Sequence, residues 1–182
     1  MRLLCFQSNM FLHGGWLHLI GNVWTLYIFG DNVEDRMGRR RYLAFYLLCG
    51  LIAGITHIVF NWNSPIPSIG ASGAIAGVMG AYMFMFPGSK ILMLFPIFYI
   101  PFFFRIPAFV YLGLWFVFQL LDGTSDLFAP EAVGGVAFWA HIGGFAGGVV
   151  IYRLFTHSQY DPPETYNSYK RDPDYYFSRK IR

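Results

Sequence analysis

Five apolar blocks, at about 16–31, 42–61, 71–87, 106–121 and 138–155, dictate what this chain can fold into. A helix crosses the hydrocarbon core of a bilayer with about 20 predominantly apolar residues. Composition agrees: 55% of the 182 residues are hydrophobic, 20% are aromatic and 13% are charged, against roughly 25% charged in a soluble domain. The blocks predict an all-α fold, a polytopic transmembrane helix bundle of five spans. The first block is the weakest by hydropathy because it contains His18 and Asn22, and the same residues make it the most informative chemically.

Charge placement predicts an orientation. With loop 32–41 in the cytoplasm, the alternation of spans puts every one of the thirteen Lys and Arg residues except Arg2 on the inner side, as the positive-inside rule requires. Loops 62–70 and 122–137 then face outward, with Asp122, Asp126 and Glu131 but no Lys or Arg. The stretch 91–104 is also apolar, yet Pro96, Pro101 and the nearby Pro107 break up any continuous helix. It reads as one interfacial or re-entrant segment, because a sixth span there would export Arg105 and all basic residues from Arg153 onward. These assignments make residues 1–156 the membrane domain and 157–182 a polar cytoplasmic tail with no fold of its own. The membrane reads as a plasma (inner) membrane. Residues 1–15 fall outside without an export signal, so further chain is expected ahead of Met1. Cys5 and Cys49 form no patterned disulfide framework, and no nucleic-acid motif is present.

Strongly polar groups within spans are rare and mark functional sites by default. Four stand out: His18, Asn22, Ser72 and His141. At about 1.5 Å of rise per residue, counted from the inner end of each span, they lie about 20, 14, 22 and 18 Å up, a shared layer from near the midplane into the outer half. Glycines at fourfold spacing, Gly73 with Gly77, Gly143 with Gly147 and Gly144 with Gly148, let helix backbones approach closely in lipid, so the Ser72 and His141 helices are expected to pack together. A serine hydroxyl becomes a nucleophile when a base takes its proton, and His is the usual base near neutral pH. No acidic residue lies within a predicted span apart from Asp31 at the inner edge of the first, so the expectation is a dyad, with His141 oriented by packing or a weaker hydrogen bond. His18 and Asn22, four apart, share one helix face and suit an oxyanion hole.

These residues together resemble the rhomboid family. His13-Gly-Gly-Trp-Leu-His18-Leu-Ile-Gly-Asn22 is similar to its H-x(4)-H-x(3)-N signature. Gly70-Ala71-Ser72-Gly73 resembles its G-x-S-G nucleophile motif, and Ala140-His141-Ile-Gly143-Gly-Phe-Ala-Gly147 resembles the A-H-x-x-G-x-x-x-G of its last core helix. Order and spacing match from about residue 7 to 155, beginning at the family's second helix, so the first helix and the outer loop after it are missing from the match. The resemblance implies an intramembrane serine endopeptidase without cofactor or metal. Transmembrane protein substrates would reach Ser72 laterally from the lipid bilayer through a gate formed by the helix at about 106–121. By the same resemblance His18, Asn22 and the Ser72 backbone N–H form the oxyanion hole, while His13 is structural. Some members stack an aromatic residue, four after the serine, on the catalytic histidine; here that position is Ala76, so another group must hold His141.

The competing readings have separate signatures. An inactive relative that binds or escorts membrane helices would normally have lost Ser72 or His141. A transporter or channel would use the buried His and Asn residues along an ion path, but the spans carry charge only at their inner ends, Asp31 and Arg153, and internal repeats are absent. Zinc binding by His13, His18 and His141 lacks helix-ligand spacing and an acidic or cysteine partner. His57, near an outer helix end, reads as structural.

Overall fold

A computed structural model describes residues 10–62, 70–128 and 136–156. Within them the chain forms five helices and one hairpin: α1 (Trp16–Met37), α2 (Arg39–Phe60), α3 (Ser72–Met85), β1 (Lys90–Ile97), β2 (Ile100–Pro107), α4 (Ala108–Phe128) and α5 (Phe138–Phe155). Each helix coincides with one of the five apolar blocks to within a few residues, apart from C-terminal extensions of α1 and α4. Helices α2, α4 and α5 are long and apolar enough to cross a membrane. Helix α3 is apolar but has 14 residues, and the 22-residue α1 ends in Asp31, Glu34, Asp35 and Arg36. The expected tail, Arg2 and Glu131 lie outside the described residues.

Helices α1 and α2 are separated by Gly38 alone. Its φ of 77° is a left-handed conformation that glycine adopts without steric cost, and its N–H caps α1 by donating to Glu34 O at 2.6 Å. The chain therefore reverses in one residue, with Arg39, Arg40 and Arg41 at the joint.

Helix α3 is the central post. Twelve of its fourteen residues are buried, the mark of a helix surrounded by others rather than one with a single apolar face. Glycine makes this possible. A Cβ on Gly144 would overlap the carbonyl oxygen of Gly73, and one on Gly148 would overlap that of Gly77. Gly143 abuts Thr56 and Gly147 abuts Ile52. The two glycine pairs of α5 thus serve different neighbours, 144 and 148 seating it on α3 and 143 and 147 seating it on α2, because adjacent residues point about 100° apart around a helix. Phe29, Val33, Met37, Phe45, Met79 and Leu112 belong to the apolar core.

The proline-bearing stretch between α3 and α4 is an antiparallel β-hairpin, where the sequence reads as an interfacial or re-entrant segment of unspecified form. Its prolines are phased. Ala108 N–H donates to Ser89 O at 2.8 Å, one step from the aligned pair Lys90 and Pro107. Alternation along an antiparallel ladder then makes 91/106, 93/104, 95/102 and 97/100 the hydrogen-bonded pairs. Pro96, Pro101 and Pro107 all occupy the intervening positions, where a missing N–H removes no ladder bond. The two-residue turn is Phe98-Tyr99, with φ of 45° and 69°, positive at both central positions as in a type I′ turn. Both aromatic rings are fully exposed.

Candidate active site

The N-terminal parts of α1, α3 and α5 and the C-terminal half of α4 converge on Ser72. Ser72 is the first residue of α3 and His141 the fourth of α5, so the Gly73–Gly144 backbone contact one residue beyond Ser72 brings the two side chains together. His141 Nε2 lies 2.8 Å from Ser72 Oγ. On the opposite ring edge, His141 Nδ1 lies 2.7 Å from Gln119 Oε1. A carbonyl oxygen only accepts, so Nδ1 carries the proton and Nε2 presents its lone pair to the serine hydroxyl.

Gln119 was not singled out by sequence reasoning, and neither was Trp115. They lie four apart on α4 and so share a face. The Trp115 ring sits 5.8 Å from the His141 ring, centroid to centroid, and Gln119 is buried. Together they supply the support that the small Ala76 does not give. The available signal was an amide inside a predicted span, the same signal that marked Asn22.

His18 and Asn22 approach the serine from α1, through Gly70. Gly70 has a φ of +114°, and a Cβ built there would stand 2.8 Å from His18 Cε1, 3.0 Å from His18 Nε2 and 3.7 Å from Asn22 Nδ2. The Gly14 N–H donates to His18 Nδ1 at 3.4 Å, which leaves the ring proton of neutral His18 on Nε2, the atom on the Gly70 side. Asn22 is buried and its Nδ2 has no hydrogen-bond partner among the described residues. His13 packs edge-on against His18 at 5.3 Å between centroids and does not line the cavity described next. His57 is paired with Asn61 at 3.4 Å, at the C-terminal end of α2.

All four of Ser72, His141, His18 and Asn22 line one cavity of about 730 Å³. Its walls are a face of α1 that includes Leu17, Thr25 and Ile28, and on the other side Tyr111 and Trp115 of α4, with Ile91 to Leu94 of β1 below. The α1 residues recur at helical spacing, so this helix turns one stripe toward the cavity. The first backbone N–H groups of α3 have no intrahelical partner, and Ser72, the first residue of that helix, lines the same space.

A bundle of apolar helices that holds a Ser–His pair and unspent donors around a cavity defines a class, the multi-pass integral membrane protein with a buried polar site. The chain matches the family model of the Rhomboid domain over residues 2–158 and belongs to the rhomboid family. It is 26% identical over 147 residues to the mitochondrial rhomboid protein 1 of Saccharomyces cerevisiae, covering 79% of this chain and 39% of that protein. To the rhomboid protease GluP of Bacillus subtilis it is 43% identical over 74 residues, 41% of this chain and 14% of that protein. To the mitochondrial presenilin-associated rhomboid-like protein A of Danio rerio it is 28% identical over 157 residues, 81% and 36% of the two chains. The chain therefore spans well under half the length of these relatives.

Proposed function

We propose that this chain is a serine endopeptidase that cuts transmembrane substrates within the bilayer, with Ser72 as nucleophile and His141 as general base. The observation that carries the reading is the 2.8 Å contact between His141 Nε2 and Ser72 Oγ at the wall of the cavity. His141 takes the hydroxyl proton as Oγ attacks the scissile carbonyl carbon. The carbonyl π pair moves to oxygen, giving a tetrahedral oxyanion beside Asn22 Nδ2, His18 Nε2 and the free N–H groups at the start of α3. Collapse of this intermediate expels the amine, which receives the proton from His141, and leaves an acyl ester on Ser72. Water, deprotonated by the same imidazole, hydrolyses the ester. The unpartnered Asn22 Nδ2 supports the oxyanion role, because a buried donor without an acceptor costs about 1–3 kcal/mol and is of use where an acceptor arrives during the reaction.

The cavity between α1 and α4 is the route by which a substrate helix enters. The charge distribution supports a topology with the 32–41 joint, the base of the hairpin and the C-terminus in the cytoplasm, the 157–182 tail solvated there, and the site opening toward the outer half of a plasma membrane. Residues 1–156 then act as one membrane domain.

Cleavage of a model transmembrane substrate by the reconstituted chain, compared with Ser72→Ala and His141→Ala, tests the reading. Both substitutions are expected to abolish cleavage with the fold intact. Undiminished cleavage by Ser72→Ala would sink the mechanism, and capture of substrate helices without cleavage by the wild type would favour an escort.

A further inference from the structure

Resting on the protease reading, we infer that Gln119 is a positioning residue that fixes the tautomer and aim of His141, and that it makes the base dependent on the seating of α4. The two ring nitrogens of a neutral imidazole cannot both accept, and a base at Nε2 requires the proton at Nδ1. In many serine hydrolases an acidic side chain enforces this. Among the described residues no carboxylate reaches the ring of His141, and its Nδ1 is instead engaged by the Gln119 amide oxygen at 2.7 Å.

The identity of the supporting element matters as much as the bond. Ser72 and His141 stand on α3 and α5, which are locked backbone to backbone through Gly73, Gly77, Gly144 and Gly148. Gln119 stands on α4, whose outer face, including Leu114, Val117, Phe118 and Leu121, is exposed. Helix α4 also forms the cavity wall opposite α1. A displacement of α4 large enough to widen the cavity withdraws Trp115 and Gln119 together, since they occupy one helix face. His141 then keeps its contact with Ser72 but loses both the acceptor that selects its tautomer and the ring beside it. Proton transfer is efficient only after α4 has returned, so the nucleophile is weakest while the cavity is widest.

The test uses the whole chain in proteoliposomes, with Gln119→Met, which preserves length and removes the acceptor, and Gln119→Glu, which preserves the acceptor. Three readouts are taken: cleavage of a model transmembrane substrate, the rate at which an alkyl fluorophosphonate labels Ser72, and the ¹⁵N shifts of His141. Gln119→Met is expected to lower kcat and the labelling rate by roughly 10- to 100-fold, the worth of one buried hydrogen bond, with KM unchanged and the Nδ1–H tautomer signal lost. Gln119→Glu is expected to retain most of the activity. The inference is overturned if Gln119→Met keeps wild-type kcat and tautomer, or if Met and Glu lose activity equally, which would mean packing alone. The protease reading fails by a different result, a wild type whose Ser72 takes up no probe, and in that case the tautomer measurement still decides whether Gln119 positions His141.

Discussion

His18 and Gly70 are in contact across the gap between α1 and the start of α3, so that even one methyl group at position 70 would stand 2.8 Å from the imidazole. Gly70 also sits at φ +114°, where an L-residue is strained. Gly70→Ala is therefore expected to push His18 aside and to twist the segment leading into Ser72. The expected outcome is a loss of about 10²-fold or more in cleavage rate, the effect of disturbing an oxyanion donor, with a smaller fall in thermal stability. Rate and melting temperature measured on the same preparation check it.

Asn22 invites a sharper separation of activity from stability. Its buried Nδ2 has no partner among the described residues, so Asn22→Ala breaks no hydrogen bond of that amide nitrogen among them. We expect a rate loss of about 10²–10³-fold without a drop in melting temperature. A drop comparable to that of a core truncation would mean that Asn22 is structural.

The glycines of α5 and α4 make opposite predictions. Gly144→Ala forces a Cβ into the carbonyl of Gly73 and must separate α3 from α5, at a cost of roughly 1–3 kcal/mol for an overpacked core. Because the same contact holds Ser72 against His141, activity is expected to disappear with it. Gly113 in α4 has nothing within 4 Å of a built Cβ, and Gly113→Ala is expected to be neutral or to stabilise by about 0.5–1 kcal/mol. Thermal unfolding in one detergent compares the two.

The hairpin register is testable with proline. Phe103 and Phe104 are adjacent on β2, but only Phe104 falls in a hydrogen-bonded pair, opposite Met93. Phe104→Pro removes a ladder bond and is expected to open the hairpin, whereas Phe103→Pro joins the existing prolines in phase and is expected to be tolerated. Protease accessibility of residues 90–107 reports the difference.

The helices were legible because each is a long apolar run, and a membrane protein declares its spans through hydropathy more openly than a soluble one declares its core. The glycine spacing of α3 and α5 likewise foretold their close approach. The hairpin was less legible. Pro96, Pro101 and Pro107 announce that no helix continues there, but they do not by themselves announce a ladder, and Phe98-Tyr99 carries none of the Asn-Gly or Asp-Gly chemistry that usually betrays a type I′ turn. At the candidate site, His18, Asn22, Ser72 and His141 were visible as polar residues in apolar runs. Gln119 carried the same signal in a block otherwise read for its hydrophobicity, and its partner lies 22 residues away, a pairing that only the packing of α4 on α5 creates.

The phasing of the prolines constrains how this segment can change length over evolutionary time. Removing or adding a single residue in either strand would shift one arm by a half-period and bring Pro96 or Pro101 into a hydrogen-bonding position, where the missing N–H removes a ladder bond. Two residues at a time restore the phase. Homologous hairpins of this kind are accordingly expected to differ by even numbers within each arm, so that the spacing between the helix carrying Ser72 and the helix carrying Gln119 is quantised rather than freely variable.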